Sequence, residues 1–143
     1  HILGCANLNH VQPPEYGSIS WTIQAKPKQV LVIHTLCIRP ECAGGGRGRR
    51  FVAFAEGLAT GQGCRVIRLD TYEGNAPAAA FYPKLGYRLA GSAEFFFEGF
   101  ARENLICFEK ELRGGADRPA GNRRPGTAAP AMPSTASASA ETP

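Results

Sequence analysis

A mostly apolar stretch, VLVIHTLCI, spans Val30–Ile38 and is the clearest hydrophobic run in the chain. It is rich in β-branched side chains, which pack well on a pleated sheet and lose rotamer freedom in a helix. The stretch therefore predicts a buried strand. Arg39 and Pro40 follow it, and because proline has no backbone N–H to donate, the strand should end there.

Helical spacing replaces this pattern after a short loop. The apolar positions from Arg47 to about Thr60 predict an amphipathic helix that ends at Gly61. Its expected apolar face consists of Phe51, Phe54, Ala55 and Leu58. Cys64–Tyr72 then alternates and predicts a second strand. Because a helix connects the two strands, they should run parallel.

Shorter elements are predicted on both sides of this unit. Before it, Ile2–Leu8 and Ser18–Ile23 predict two strands that pair as a hairpin or meander. After it, Asn75 caps a short helix that ends at Gly86. The two antiparallel strands expected next are Tyr87–Phe97 and Asn104–Glu111. This order of elements predicts a mixed α/β fold.

A glycine-rich loop, Gly44–Gly48, separates the first long strand from the first helix. The order of strand, glycine loop and helix start is typical of a phosphate cradle, because glycine lets backbone N–H groups approach an anion at the positive end of a helix. Two other interpretations stay open here: a flexible turn, and a nucleic-acid segment built on Arg47, Arg49 and Arg50. The spacing fits neither a Walker loop nor a Rossmann fingerprint.

Two motifs resemble the GNAT superfamily of N-acetyltransferases. IRPECAGGGRGRRF, residues 38–51, is similar to the family's acyl-CoA loop, Gln/Arg-x-x-Gly-x-Gly/Ala after a strand. NAPAAAFYPKLGY, residues 75–87, resembles the family's Asn-x-x-Ala-x-x-x-Tyr-x-Lys-Leu-Gly-Phe/Tyr, with Asn75, Tyr82 and Tyr87 in matching places. The resemblance covers about residues 2–112 and is specific mainly in these two motifs.

The resemblance implies a central mixed sheet with flanking helices, in which two parallel central strands splay apart. It also implies that the chain is N-terminally truncated, since the family's first strand and first two helices have no counterpart. Acetyl-CoA is the implied acyl donor, held largely by backbone groups. The implied cofactor-binding residues are Leu36, Cys37, Ile38, Ala43, Gly44, Gly45, Gly46, Arg47, Gly48, Arg49, Asn75 and Tyr82.

Direct acetyl transfer to an amine requires a base for the amine and an acid for the leaving thiolate. The resemblance implies Tyr82 as the acid, because a phenol can donate a proton and is neutral near neutral pH. His34 is a candidate base, with Asp70, Glu73 and ordered water as competitors. A structural role is the simpler interpretation of His34, and strand alternation places it on the same face as Leu36.

The chain departs from the family pattern at two loop positions. Ala43 stands where the family usually has Gln or Arg, and Arg47 stands where an aliphatic residue is usual. The missing N-terminal helices form much of the acceptor wall in the family. The resemblance as a whole implies an acetyl-CoA-dependent N-acetyltransferase acting on a small-molecule, peptide or protein amine. The alternative is a catalytically weak or silent acyl-CoA-binding or interaction module.

Composition narrows the range of partners. The net charge of +4 is too small to predict nucleic-acid binding but suits a polyanionic small molecule.

The remaining acidic residues and the cysteines suggest no further site. Glu56, Glu109 and Glu111 are expected on solvated faces. The five cysteines include no CxxC pair, so we expect buried, reduced thiols in a cytoplasmic protein and no metal site. No run is apolar enough to predict a membrane partner, and the oligomeric state stays open, with a homodimer as one option.

The composition changes abruptly near residue 114. Residues 1–113 have the apolar content of one domain. Residues 114–143 are rich in Pro, Ala, Ser, Thr and Gly, and they have too little apolar surface to offset their ordering entropy. They should form a disordered, low-complexity tail.

Overall fold

The computed structural model describes residues 1–98 and 101–114. Its strands are β1 (Gly4–Asn9), β2 (Val30–Ile38), β3 (Val66–Tyr72), β4 (Arg88–Phe97) and β5 (Ala101–Glu111). Its α-helices are α1 (Arg47–Gly61), between β2 and β3, and α2 (Ala76–Lys84), between β3 and β4. The predicted mixed α/β fold is confirmed, while the predicted tail lies almost entirely outside the described residues. Within those residues, no helix is long and apolar enough to cross a membrane.

The strands form one sheet in the order β1-β2-β3-β5-β4. β2 and β3 run parallel, as their connection through α1 predicts, and the other neighbouring pairs are antiparallel. The parallel ladder ends where Ile33 pairs with Leu69, although β2 continues to Ile38 and β3 to Tyr72. The two central strands therefore splay apart beyond this pair, as the family resemblance implies.

The pairing of β1 with β2 shifts by one residue at His34. Asn7 lies opposite Thr35, and the next residue, Leu8, lies opposite Ile33, so His34 is the extra residue of a β-bulge. A bulge interrupts the strict alternation of side chains between the two faces of a sheet.

Packing shows which side chains the bulge redirects. Leu31 and Ile33 before it and Leu36 after it belong to one hydrophobic cluster, beneath the helices. His34 instead hydrogen-bonds to Asn9, whose side chain belongs to the opposite face. The expectation that His34 shares a face with Leu36 is therefore wrong, because alternation fails at the bulge.

The two faces of the sheet are covered by different elements. α1 and α2 cover one face, where α1 buries Val52, Ala55 and Ala59. The expected apolar face of α1 is partly wrong, since Phe54 is 65% exposed. Small side chains on the buried face let the helix approach the sheet closely. The irregular segment 10–29 covers the other face, where Tyr16 is almost fully buried.

The strand predicted over Ser18–Ile23 is wrong, because this segment forms a 3₁₀ turn at Pro14–Ser18 followed by irregular backbone. Two of its backbone N–H groups donate hydrogen bonds to a side chain and not to a neighbouring strand. Thr22 and Ile23 both donate to the carboxylate of Glu109, which is fully buried and also contacts Arg88. The expectation that Glu109 is solvated is therefore wrong too, and β1 pairs directly with β2.

The five cysteines are free thiols in different environments. Cys64 and Cys107 are buried, as expected. Cys5 and Cys37 are exposed, contrary to expectation, and they lie opposite each other on β1 and β2.

We expect Glu109→Ala to lower the free energy of unfolding by roughly 2–4 kcal/mol, because it leaves the N–H groups of Thr22 and Ile23 and the guanidinium of Arg88 without their shared acceptor. Glu111→Ala, two residues along the same strand, is the matched control. Among the described residues, the side chain of Glu111 pairs only with Arg65, at 3.7 Å on the surface, so its loss should cost about 0.5 kcal/mol or less. Urea unfolding of both variants measures the difference, and equal losses would contradict the anchoring role of Glu109.

Candidate functional site

A cleft of about 510 Å³ lies between the glycine loop and α2. Most of the predicted binding residues line it: Leu36, Ile38, Ala43, Gly44, Gly46, Arg47, Gly48, Arg49, Asn75 and Tyr82. Phe81 also lines it, and its ring packs against the backbone of Gly48, where an added Cβ would lie 3.1 Å from the ring. Cys37 and Gly45 belong to the same segments without lining the cleft, and His34 lies on the other face of the sheet.

The glycine loop presents a row of backbone donors. Gly44, Gly45 and Gly46 all have positive φ angles, of 85°, 58° and 74°, which other residues rarely adopt. α1 begins directly after them without a side-chain cap. The N–H groups that have no acceptor among the described residues are those of Gly44, Gly45, Gly46, Gly48 and Arg49. Such a row at a helix N-terminus suits an anion.

The two arginines of the loop have different surroundings. The guanidinium of Arg47 donates to the carbonyl of Cys42 at 2.9 Å, so it braces the loop against its own backbone. Arg49 lies in the first turn of α1, lines the cleft and forms no ion pair with a described residue. Arg49 is therefore the better placed of the two to meet an anion in the cleft.

Asn75 has the predicted capping role and also reaches the cleft. Its Oδ1 atom accepts a hydrogen bond from the N–H of Ala78 at 3.2 Å, at the start of α2. The side-chain nitrogen is left to donate to a ligand. One side chain can thus hold the helix start and contact a bound group.

Tyr82 projects from α2 into an aromatic cluster. Its ring lies 5.1 Å from Phe81, 5.6 Å from Tyr87 and 5.8 Å from Phe108, centroid to centroid. Its hydroxyl makes no hydrogen bond to a described residue, although the side chain lines the cleft. Burial, and then the negative charge of Asp70, raise the pKa of Tyr82 above its ordinary value. The phenol is therefore held in its protonated form and can donate a proton.

A second polar group lies on the other face of the sheet, close to the splay. The hydroxyl of Tyr16 donates to Asp70 at 2.7 Å. Burial raises the pKa of Asp70, while the hydrogen bond from Tyr16 and the charge of His34 lower it in part. Sequence reasoning missed Tyr16, because it meets Asp70 across 54 positions and no local motif marks it. Glu73, the other candidate base, lies in an exposed turn.

A larger depression, of about 910 Å³, lies beside the second half of α1. Its lining includes Glu56 and Lys110, which pair with each other at 2.8 Å. None of the predicted site residues lies there. We therefore assign the candidate site to the glycine-loop cleft.

A model of the acetyltransferase (GNAT) family matches residues 1–87, which include both the glycine loop and the Asn75–Tyr87 segment. The chain belongs to the GNAT family. Members of this family are acetyltransferases, so the cleft lies in a fold that the family uses for acetyl transfer. A sequence comparison with curated proteins gives no match.

Solved structures share this GNAT fold. Nourseothricin acetyltransferase is 25% identical, with a TM-score of 0.55, over 59% of this chain and 51% of its own. An acetyltransferase from Bacillus subtilis, in complex with CoA, is 16% identical, with a TM-score of 0.57, over 78% and 70%. A GNAT-family acetyltransferase from Listeria monocytogenes is 18% identical, with a TM-score of 0.57, over 78% and 59%. The chain thus spans about half the length of nourseothricin acetyltransferase.

We expect Gly46→Ala to lower the free energy of unfolding by roughly 1 kcal/mol, because alanine is strained at a φ of 74°. Gly57→Ala is the matched control, since Gly57 lies inside α1, where an added Cβ meets nothing within 4 Å. It should raise the stability by about 0.5–1 kcal/mol. Thermal or urea unfolding checks both, and a stabilised Gly46→Ala variant would contradict the left-handed loop.

Proposed function

We propose that this chain is an acetyl-CoA-dependent N-acetyltransferase that moves an acetyl group directly to a primary amine. The proposal rests on one observation: two kinds of hydrogen-bond donor line the same cleft. Backbone N–H groups of the glycine loop lie on one side, and the protonated hydroxyl of Tyr82 lies on the other. The CoA complex of the Bacillus subtilis relative supports a donor of this type.

The glycine loop suits the diphosphate of the donor. The N–H groups of Gly44, Gly45, Gly46 and Gly48 have no acceptor among the described residues and adjoin the positive end of α1, and Arg49 adds a full charge. The edge of β2 that faces β3 is unpaired beyond Ile33 among the described residues, and Leu36 and Ile38 line the cleft from this part of the strand. Backbone groups there would hold the amide-bearing arm of the same ligand.

Acetyl-CoA, when bound, supplies the acetyl group as a thioester. Tyr82 would give its proton to the departing sulfur; its raised pKa keeps the phenol protonated at neutral pH until that transfer. A primary amine has a pKa of about 10 in water, so a base must take its proton before or during attack. His34 and Asp70 lie by the splay on the opposite face from α2, where they could serve an amine that approaches from that side.

The acceptor class stays broad in this proposal. Small amines, peptides and protein amines all stay open as acceptors. A catalytically silent acyl-CoA-binding module is the competing outcome, and it differs only in turnover. Binding and turnover therefore need separate measurements.

Titration calorimetry should detect binding of CoA to the wild-type chain. Gly44→Asp places a carboxylate among the loop donors, so we expect the affinity for CoA to fall about tenfold or more. Gly17→Asp is the control, because it makes the same charge change at an exposed site far from the cleft. An RNA oligomer should give no comparable heat. Equal affinities in both variants would contradict the assignment of the loop.

We expect Tyr82→Phe to slow acetyl transfer about a hundredfold while barely changing the affinity for CoA, because it removes a proton donor and little surface. Tyr72→Phe is the control, since Tyr72 is 53% exposed. The measurement is acetylation of a mixed panel of amines by wild type and both variants. Equal rates would remove Tyr82 from the mechanism. Binding of CoA without turnover of any amine would favour the silent module.

A further inference from the structure

Within the described part of the chain, one hydrogen bond holds the imidazole of His34. Its Nε2 atom lies 2.7 Å from Oδ1 of Asn9, the last residue of β1. Its Nδ1 atom makes no hydrogen bond to a described residue. Which nitrogen carries the proton in the neutral ring therefore depends on Asn9.

A second hydrogen bond identifies the atom of the Asn9 side chain that faces His34. The same Oδ1 atom accepts from the backbone N–H of Val11 at 2.8 Å. A backbone N–H can only donate, so the atom that it meets must be the amide oxygen of Asn9 and not the nitrogen. An amide oxygen can only accept, so Nε2 of His34 must carry a proton. In the neutral ring, Nδ1 then holds the lone pair.

The surroundings of His34 suit a group that gains a proton. His34 is the extra residue of the bulge, next to the point where β2 and β3 part. Asp70, on β3, is the acidic group whose charge interacts with it, and Tyr16 donates to that carboxylate at 2.7 Å. Asn9, from β1, is uncharged. An imidazolium at His34 would thus interact with the carboxylate of Asp70.

We propose that Asn9 is a positioning residue that holds His34 in the Nε2–H tautomer and presents Nδ1 as the acceptor of the amine proton. The proposal rests on the proposed acetyl transfer. As the new C–N bond forms, the proton of the amine passes to Nδ1. As the C–S bond breaks, the thiolate receives the proton of Tyr82. His34 is then an imidazolium and Tyr82 a phenolate; loss of the Nδ1 proton to water and uptake of a proton by the phenolate restore both groups, so the transfers balance over one turnover.

The first test reads the tautomer directly and needs no substrate. Long-range ¹H–¹⁵N NMR of histidine-labelled protein, at about pH 8, distinguishes Nε2–H from Nδ1–H rings. His10 is an internal reference of the opposite kind, because its Nδ1 atom lies 2.7 Å from the carbonyl of Val30 and must donate to it. The exposed amide of Gln62, 3.1 Å from Nε2, can turn its nitrogen toward that atom and donate to it. His10→Gln and His34→Gln assign the signals. We expect His34 as Nε2–H and His10 as Nδ1–H; an Nδ1–H or averaged signal for His34 would overturn the proposal.

The second test separates positioning from general stability. Asn9→Ala should lower kcat about tenfold or more, leave KM for acetyl-CoA unchanged and give an averaged His34 tautomer. Asn9→Asp keeps an oxygen acceptor for both donors, so it should restore the Nε2–H signal and most of kcat. In a His34→Gln background, Asn9→Ala should have no further effect on kcat. If the two substitutions lowered kcat independently, so that their effects multiplied in the double variant, Asn9 would not act through His34.

The two tests distinguish this proposal from the one it rests on. If wild type acetylates no amine, the proposed function fails, and the NMR spectrum still decides whether Asn9 sets the tautomer. If wild type is active and His34→Gln retains full kcat, the acetyl transfer stands and the role of Asn9 and His34 is refuted.

Discussion

The short parallel ladder between β2 and β3 determines where a site can form in this protein. Four residue pairs join the strands, and the ladder stops at Ile33 and Leu69. Beyond it, β2 keeps only β1 as its described neighbour, so one edge of its backbone is available for a ligand. The bulge at His34 falls at the same place and sends Leu36 to the cleft and His34 to the opposite face. The bulge thus determines which of these side chains reaches each face of the sheet.

The two faces have distinct chemistry. The face beneath the helices carries backbone donors at the start of α1 and a buried phenol, Tyr82, which suit an anionic thioester donor. The other face carries Asp70, Tyr16 and His34, groups that can accept or relay a proton. Its cover, segment 10–29, is held by a carboxylate inside the protein. A buried carboxylate is costly without donors, and Thr22, Ile23 and Arg88 supply them to Glu109.

Sequence reasoning succeeded where a local pattern has a local physical cause. β-branched residues over Val30–Ile38 predict β2 with the observed bounds, and the helical spacing after Gly46 predicts α1. It failed over Ser18–Ile23, where alternating apolar residues suggest a strand. There the apolar side chains pack onto a sheet face, and a carboxylate 86 or 87 positions away accepts two backbone N–H groups. Nothing within that segment encodes so distant a partner.

The sequence by itself determined the order of the long elements and the glycine loop, because each depends on residues that are neighbours along the chain. The family resemblance, and not a physical pattern, singled out Tyr82 as a candidate. Only the tertiary structure decided the face of His34, the burial of Glu109 and the contacts of Asn9 and Tyr16. These features depend on the register between strands and on a bulge of one residue. A shift of one position reverses which face a side chain joins, and periodicity alone cannot reveal where such a shift occurs.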